Sequence, residues 1–226
     1  MDVTCTDGKT LWDWFDYVAH QEAAAEKVCW GNRDTGHDRM RLADFLAVEQ
    51  ARKAKLRLEH VLALRLHTAT PVSFALNNPL RNFQRDGETG ADLEGVLTVS
   101  VLNEAIERLR DTKGKVVVTL WRGLKNMDLE EDSDFLLAGG VEMSCMSTSY
   151  DLHTALFYSH SPHSILFKIV TRSFMERGAD LDWISCFPEE QECLFPPCTL
   201  LSPTGRTQKV KSPTTNFTIV EVTPRL

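Results

Sequence analysis

The hydrophobic period of this chain changes once, and that change limits the fold more than any other feature. In the first half, apolar residues recur at helical spacing. Leu11, Phe15 and Val18 follow a Thr10 cap; Leu42, Phe45, Leu46, Ala54, Leu58, Val61 and Leu62 mark a long helical pattern from 41 to about 67; Leu102, Ala105, Ile106 and Leu109 follow a Ser100 cap. Between them, 31–37 and 83–95 read as loops, Thr70-Pro71 as a helix stop, Asn77-Asn78-Pro79 as a turn, and Lys113-Gly114 as the end of the last helix. The second half is built of short β-branched runs at 116–121, 141–149, 164–170, 193–201 and 217–222, with one short Asp151-capped helix and a Ser173-x-x-Glu176 capping box closed by Gly178. Helices followed by strands predict an α+β fold rather than alternating β-α-β units.

The chain of 226 residues is long enough to fold as one domain without disulfide or metal staples. A net charge of −7 argues against nucleic acid as a partner. No apolar run reaches the roughly 18 residues of a membrane span. The N-terminus has neither a basic start nor an apolar core, so no secretory signal is expected on the chain as given. Of the six cysteines none sits in a C-x-x-C pair, so no zinc site is expected; their even number permits disulfides, but free buried thiols in a reducing compartment are the favoured reading. The basic residues Arg52, Lys53, Lys55 and Arg57 read as a solvated helix face. His153, His160 and His163 are interrupted by Pro162 and read as surface histidines, so no metal is expected. Asn216-Phe217-Thr218 is a glycosylation sequon by pattern only. No G-x-G-x-x-G or Walker loop is present.

Three polar groups stand out against this background. Arg122 sits where a strand runs out and Gly123 begins a bend; there it either forks two hydrogen bonds to a phosphate, with the glycine letting a ligand approach the backbone, or pairs with a surface acid. Ser147, Thr148 and Ser149 end a strand before a helix, where hydroxyls either orient a carboxylate or ribose or cap the helix. Glu190 and Glu192 lie two apart; on an extended segment they face the same way, either as a fixed carboxylate pair able to stabilise an oxocarbenium-like sugar or as a solvated acidic turn.

In this order the three motifs resemble the R-S-E class of mono-ADP-ribosyltransferases, the E-x-E, arginine-modifying type. The resemblance spans roughly residues 70–201. It includes Thr70-Pro71 with Asn78-Pro79-Leu80-Arg81, Trp121-Arg122-Gly123, Gly139-Gly140 before Ser147-Thr148-Ser149, Gly178-Ala179-Asp180, and Glu190-Gln191-Glu192 before Cys193-Leu194-Phe195-Pro196-Pro197. It implies one domain over 1–226, with a helical part (1–69) packed on a split two-sheet, NAD-binding β-core (70–226). It assigns Arg122 to the phosphate and ribose of NAD, the Gly123 backbone to the carboxamide, and Ser147 to the ribose and the catalytic carboxylate. Thr148, Ser149 and Tyr158 join these as cofactor-binding candidates, with Tyr158 or Phe157 as the aromatic over nicotinamide. Glu192 would stabilise the oxocarbenium ion, Glu190 would orient the acceptor and take its proton, and Phe187, or more weakly Trp183, would recognise the acceptor. NAD is then a co-substrate and no metal is needed. The partner is an acceptor protein, modified on arginine or on Ser/Thr, with a host protein such as ubiquitin left open. A monomer acting in a cytosol, its own or one it is delivered to as an effector or toxin, completes the expectation. The alternatives are an NAD glycohydrolase using water as acceptor and a non-catalytic module that binds a partner through its helical half.

Overall fold

The computed structural model describes residues 40–86, 93–110, 117–130, 133–211 and 215–226, with Asp13 and His37. Apart from Asp13, the Thr10-capped helix lies outside the described residues, as do Cys5, Cys29, most of the 31–37 loop and the Lys113-Gly114 stop.

The single long helix expected over 41–67 is three: α1 (Leu42–Ala47), α2 (Glu49–Lys53) and α3 (Leu58–Thr68). Val48 is extended (φ −67°, ψ 145°) and Lys55 takes a φ of 51°, so the backbone breaks twice. The apolar positions Leu42, Phe45, Ala54 and Val61 are nonetheless buried together. A periodic pattern marks which side chains face inward, not whether one axis carries them. Arg52, Lys53, Lys55 and Arg57 are exposed, with Lys53 and Arg57 paired to Glu49 and Glu59.

Three local expectations are overturned. Thr70-Pro71 opens a helix, α4 (Thr70–Asp86), instead of closing one; Ala69 is extended and the first helical turn tolerates proline. Asn77-Asn78-Pro79 lies inside α4, where burial of Val72 and Leu76 and packing of Leu80 against the helical core outweigh the backbone bond lost at Pro79. Ser100 does not cap a short helix; α5 (Leu93–Arg110) already starts at Leu93, which confines any 83–95 loop to 87–92, outside the described residues.

The second half forms β1 (Val118–Lys125), β2 (Gly140–Glu142), β3 (Met146–Ser149), β4 (His163–Thr171), β5 (Ala179–Asp180), β6 (Glu192–Phe195), β7 (Thr199–Lys211) and β8 (Asn216–Arg225). α6 (Asp134–Ala138) and α7 (Leu152–Ser159) intervene, and 3-10 turns occupy Phe174–Glu176 and Pro188–Glu190. The expected strands 141–149 and 193–201 are each divided, the second where Cys198 turns at φ 63°. Asp151 caps α7 as anticipated, accepting from the His153 and Thr154 amides. The capping box at Ser173 is not formed; Glu176 takes the Arg172 amide at 2.7 Å.

The strand order is β2-β7-β8-β4-β1-β3-β6-β5, antiparallel throughout except for β4–β8. Helices plus this mixed sheet make the fold α+β. The sheet narrows between β1 and β3, which share one register pair, Trp121↔Ser149. Two apolar clusters form the core: one under the helices with Leu64, Leu102, Ile184 and Leu194 of β6, the other along the sheet with Leu120, Ile169 and Val222 and with Met146 of β3 and Phe195 of β6. Cys145, Cys186 and Cys193 are buried free thiols, and Cys198 is exposed. Among the described residues no helix is long and apolar enough to cross a membrane.

Gly178 precedes β5 where the chain passes over β6: a Cβ there would lie 2.3 Å from the Leu194 carbonyl oxygen and 2.6 Å from its carbon. Both are backbone atoms, which cannot swing aside. Gly178→Ala is expected to destabilise the protein by about 2 kcal/mol, seen as a lower urea midpoint at unchanged slope.

Candidate active site

Register alone brings the three motifs together. β1 meets β3 at Trp121↔Ser149, and β3 meets β6 at Ser149↔Glu192, so three strand neighbours carry Arg122, Ser147 and Glu192 side by side. They open into a cleft of about 380 Å³ walled by α3, α4, β1, β3, α7 and the 3-10 turn at Pro188–Glu190. Arg122, Gly123, Ser147, Thr148, Ser149, Tyr158, Glu190 and Glu192 all line it.

Glu192 is 9% exposed. Burial pushes its carboxyl up to about 7 and the nearby Glu190 adds to this, while the hydrogen bond from Ser147 pulls the other way. Glu190 stands on the 3-10 turn and is also raised, chiefly by burial. Its Oε1 accepts the Tyr158 hydroxyl, which ties α7 to the turn. The Glu190-Gln191-Glu192 segment is not extended as expected: Gln191 takes the left-handed conformation (φ 48°) between the turn and β6. Both carboxylates still reach the same cleft, through a kink rather than through strand alternation.

The hydroxyl trio divides its work. Ser147 faces the Glu192 carboxylate. The Thr148 hydroxyl donates to the Cys193 carbonyl at 2.6 Å, and that of Ser149 donates to the Glu190 carbonyl at 2.6 Å while accepting the Asp151 amide at 2.8 Å. Thr148 and Ser149 thus fasten the strand and turn that present the carboxylates. Gly123 does not begin a bend; β1 continues through it to Lys125. Its missing side chain makes room for α7, since a Cβ would lie 2.1 Å from the Ala155 carbonyl oxygen. Phe187 is half-buried against the helical core and is not on the cleft wall, and Trp183 is buried with its indole donating to the Asp180 carbonyl. Phe157 is exposed beside Tyr158. His153, His160 and His163 are exposed, and the described residues contain no cluster of metal-ligating side chains.

Arg122 donates to the Ser147 carbonyl at 2.9 Å and to Glu142 at 3.1 Å. Glu142 also receives Arg81, from α4, through two N–H groups. Arg81 belongs to the Asn78-Pro79-Leu80-Arg81 motif, whose order and spacing imply no role for it; Glu142 carries no sequence signal, being one acid in a short polar-apolar strand. His67 and Asn77 also line the cleft unannounced. Burial, then the charges of Arg81 and Arg122, hold His67 down to about 4, so its imidazole is neutral. Among the described residues, His67 Nδ1 and Asn77 Oδ1 have no hydrogen-bond partner. One cleft therefore offers two guanidiniums, neutral donors and acceptors, an indole and two carboxylates, a set suited to a ligand bearing phosphates and a centre that becomes cationic.

No family model and no curated protein sequence matches the chain. Solved structures do. It is similar to the ADP-ribosyltransferase HopU1 of Pseudomonas syringae pv. Tomato (19% identity over 94% of this chain and 96% of that one, TM-score 0.61). It is similar to Plx2a, an ADP-ribosyltransferase toxin from Paenibacillus larvae (18%, 93% and 99%, TM-score 0.56). It is also similar to exoenzyme S from Pseudomonas aeruginosa, solved with human 14-3-3 protein beta and carba-NAD (21%, 80% and 86%, TM-score 0.54). At these identities the likeness establishes a shared fold: the chain has the ADP-ribosyltransferase fold.

The raised carboxyl has a thermodynamic signature. Between 4.5 and about 7 the folded protein keeps on Glu192 a proton that the unfolded chain has released, so stability falls as pH rises through that window. Glu192→Gln removes this penalty. Thermal unfolding should find the variant more stable than wild type at pH 8, by up to about 3 kcal/mol, with the difference gone at pH 4.

Proposed function

We propose that this chain is an NAD-dependent protein mono-ADP-ribosyltransferase. One observation carries the proposal: Arg122, Ser147, Glu190 and Glu192 line a single cleft, in a fold shared with enzymes of that activity. The residues fit NAD. Arg81 and Arg122 supply two positive charges for a pyrophosphate, and Trp121, Phe74 and Met127 supply apolar wall. Glu192 accepts a ribose hydroxyl and, once ionised, stabilises positive charge at C1′ as the C1′–N bond breaks and its electron pair leaves with nicotinamide. Ser147 holds that carboxylate in place. Glu190 receives the proton of the acceptor as the new bond to C1′ forms.

The acceptor is a protein side chain. Arginine fits best, because a carboxylate at the cleft mouth pairs with guanidinium; Ser or Thr hydroxyls need only the base function of Glu190. No residue singles out ubiquitin. Hydrolysis is the second reading, favoured by the Tyr158–Glu190 hydrogen bond, which occupies the acceptor-facing carboxylate and leaves water the easier nucleophile. A non-catalytic role through the helical half is disfavoured by the assembly of Arg122, Ser147 and Glu192 in one place. The proposed setting is a cytosol, its own or one it is delivered to, where NAD is available and thiols such as Cys145 and Cys193 stay reduced; the similar protein Plx2a is a toxin.

Incubation with NAD labelled in the adenylate half and a protein mixture should transfer label to protein. Glu192→Gln should lower the rate by at least about 100-fold. The kcat/KM of wild type should climb across pH 7 as Glu192 ionises in the free enzyme. Absence of both protein labelling and nicotinamide release would refute the assignment. Glu190→Ala separates the two readings: a transferase loses labelling but keeps nicotinamide release, whereas a hydrolase is little changed.

A further inference from the structure

Glu142 ends β2, which among the described residues is an edge strand paired to β7 alone. Its carboxylate is the meeting point of the cleft's two arginines. Arg81 donates from Nε to Oε1 at 3.1 Å and from Nη2 to Oε2 at 3.3 Å; Arg122 donates from Nη2 to Oε2 at 3.1 Å. Ser144 adds its hydroxyl at 2.7 Å and its amide at 3.2 Å, both to Oε1. Against the opposing pull of burial, these partners hold the carboxyl below the usual carboxylate range. Arg81 stands on α4 and Arg122 on β1, elements from different halves of the fold.

Two like charges converging on one cleft repel unless an anion lies between them. Arginine carries five N–H donors, and the hydrogen bonds to Glu142 and the Ser147 carbonyl use two on each residue. The trio keeps one net positive charge, with both guanidinium planes fixed. Prearranged donors of this kind bind an anion without the ordering cost that free arginine side chains incur.

We propose that Glu142 is a positioning residue: it holds Arg81 and Arg122 in the one orientation in which the pair grips the pyrophosphate of the dinucleotide. This rests on the NAD reading above. Glu142→Gln keeps the shape but loses the charge; Glu142→Asp keeps the charge. Calorimetric titration with NAD, ADP-ribose, inorganic pyrophosphate and nicotinamide separates the contributions. For Glu142→Gln the Kd of NAD, ADP-ribose and pyrophosphate should rise by about 10-fold or more, with that of nicotinamide unchanged. KM for NAD should rise in step while kcat stays within about threefold. Glu142→Asp should recover part of the loss. Arg81→Ala should cost much less in the Glu142→Gln background than alone.

Unchanged affinity for the phosphate ligands overturns the proposal. So does tighter binding, which would make Glu142 a competitor for the arginines. A parallel loss of kcat and nicotinamide affinity, tracking a fallen unfolding midpoint, would reduce Glu142 to a structural role and also overturn it. Wild type whose pyrophosphate binding depends on Glu142 but which releases no nicotinamide refutes the NAD reading and leaves Glu142 supported; wild type that binds neither NAD nor pyrophosphate refutes both.

Discussion

The fold turns on what happens where β1 and β3 part. Two strands that share one register pair and then separate leave backbone groups without ladder partners, and such groups must be satisfied. Arg122 supplies part of the answer by donating to the Ser147 carbonyl across the gap. Its charge then needs a counter-charge in a buried place, which Glu142 provides. Glu142 in turn draws in Arg81 from the helical half. One opening in the sheet thus creates the cleft, places a cation in it, and ties the helices to the strands.

The same opening explains the unusual carboxyl beside it. Glu192 belongs to a strand whose other members, Cys193, Leu194 and Phe195, are buried core. Register with Ser149 forces the carboxylate into low-dielectric surroundings, and Ser147 compensates only partly. Sites that must stabilise developing positive charge gain from a carboxylate kept poor in solvent, and the fold bears the cost of keeping it there.

Much of this was legible in the sequence, and the gaps have physical causes. The switch from helical to strand period identified the α+β class, because buried faces write their spacing into the chain. That Arg122, Ser147 and Glu192 meet in one cleft was legible because their neighbours carry order and spacing. Pro79 misled because local turn chemistry yields to the burial of Val72 and Leu76 on the same helix. The break at Val48 left no trace, since the inward positions keep their rhythm on both sides of it. The kink at Gln191 was invisible because left-handed glutamine is dictated by what flanks it, not by its own preference. Glu142 was missed for the simplest reason: its meaning lies in an arginine 61 positions earlier in the chain and another 20 positions earlier.

The placement of β2 has a consequence for how the molecule is made. Among the described residues this strand has a single hydrogen-bonded neighbour, β7, which in turn leans on β8. A nascent chain that has emerged only as far as Phe195 already carries both cleft arginines, the serine and the two acids. It lacks the strands that hold Glu142 against them. The strand that carries Glu142 therefore gains its ladder partner only after every other residue of the cleft has been synthesised.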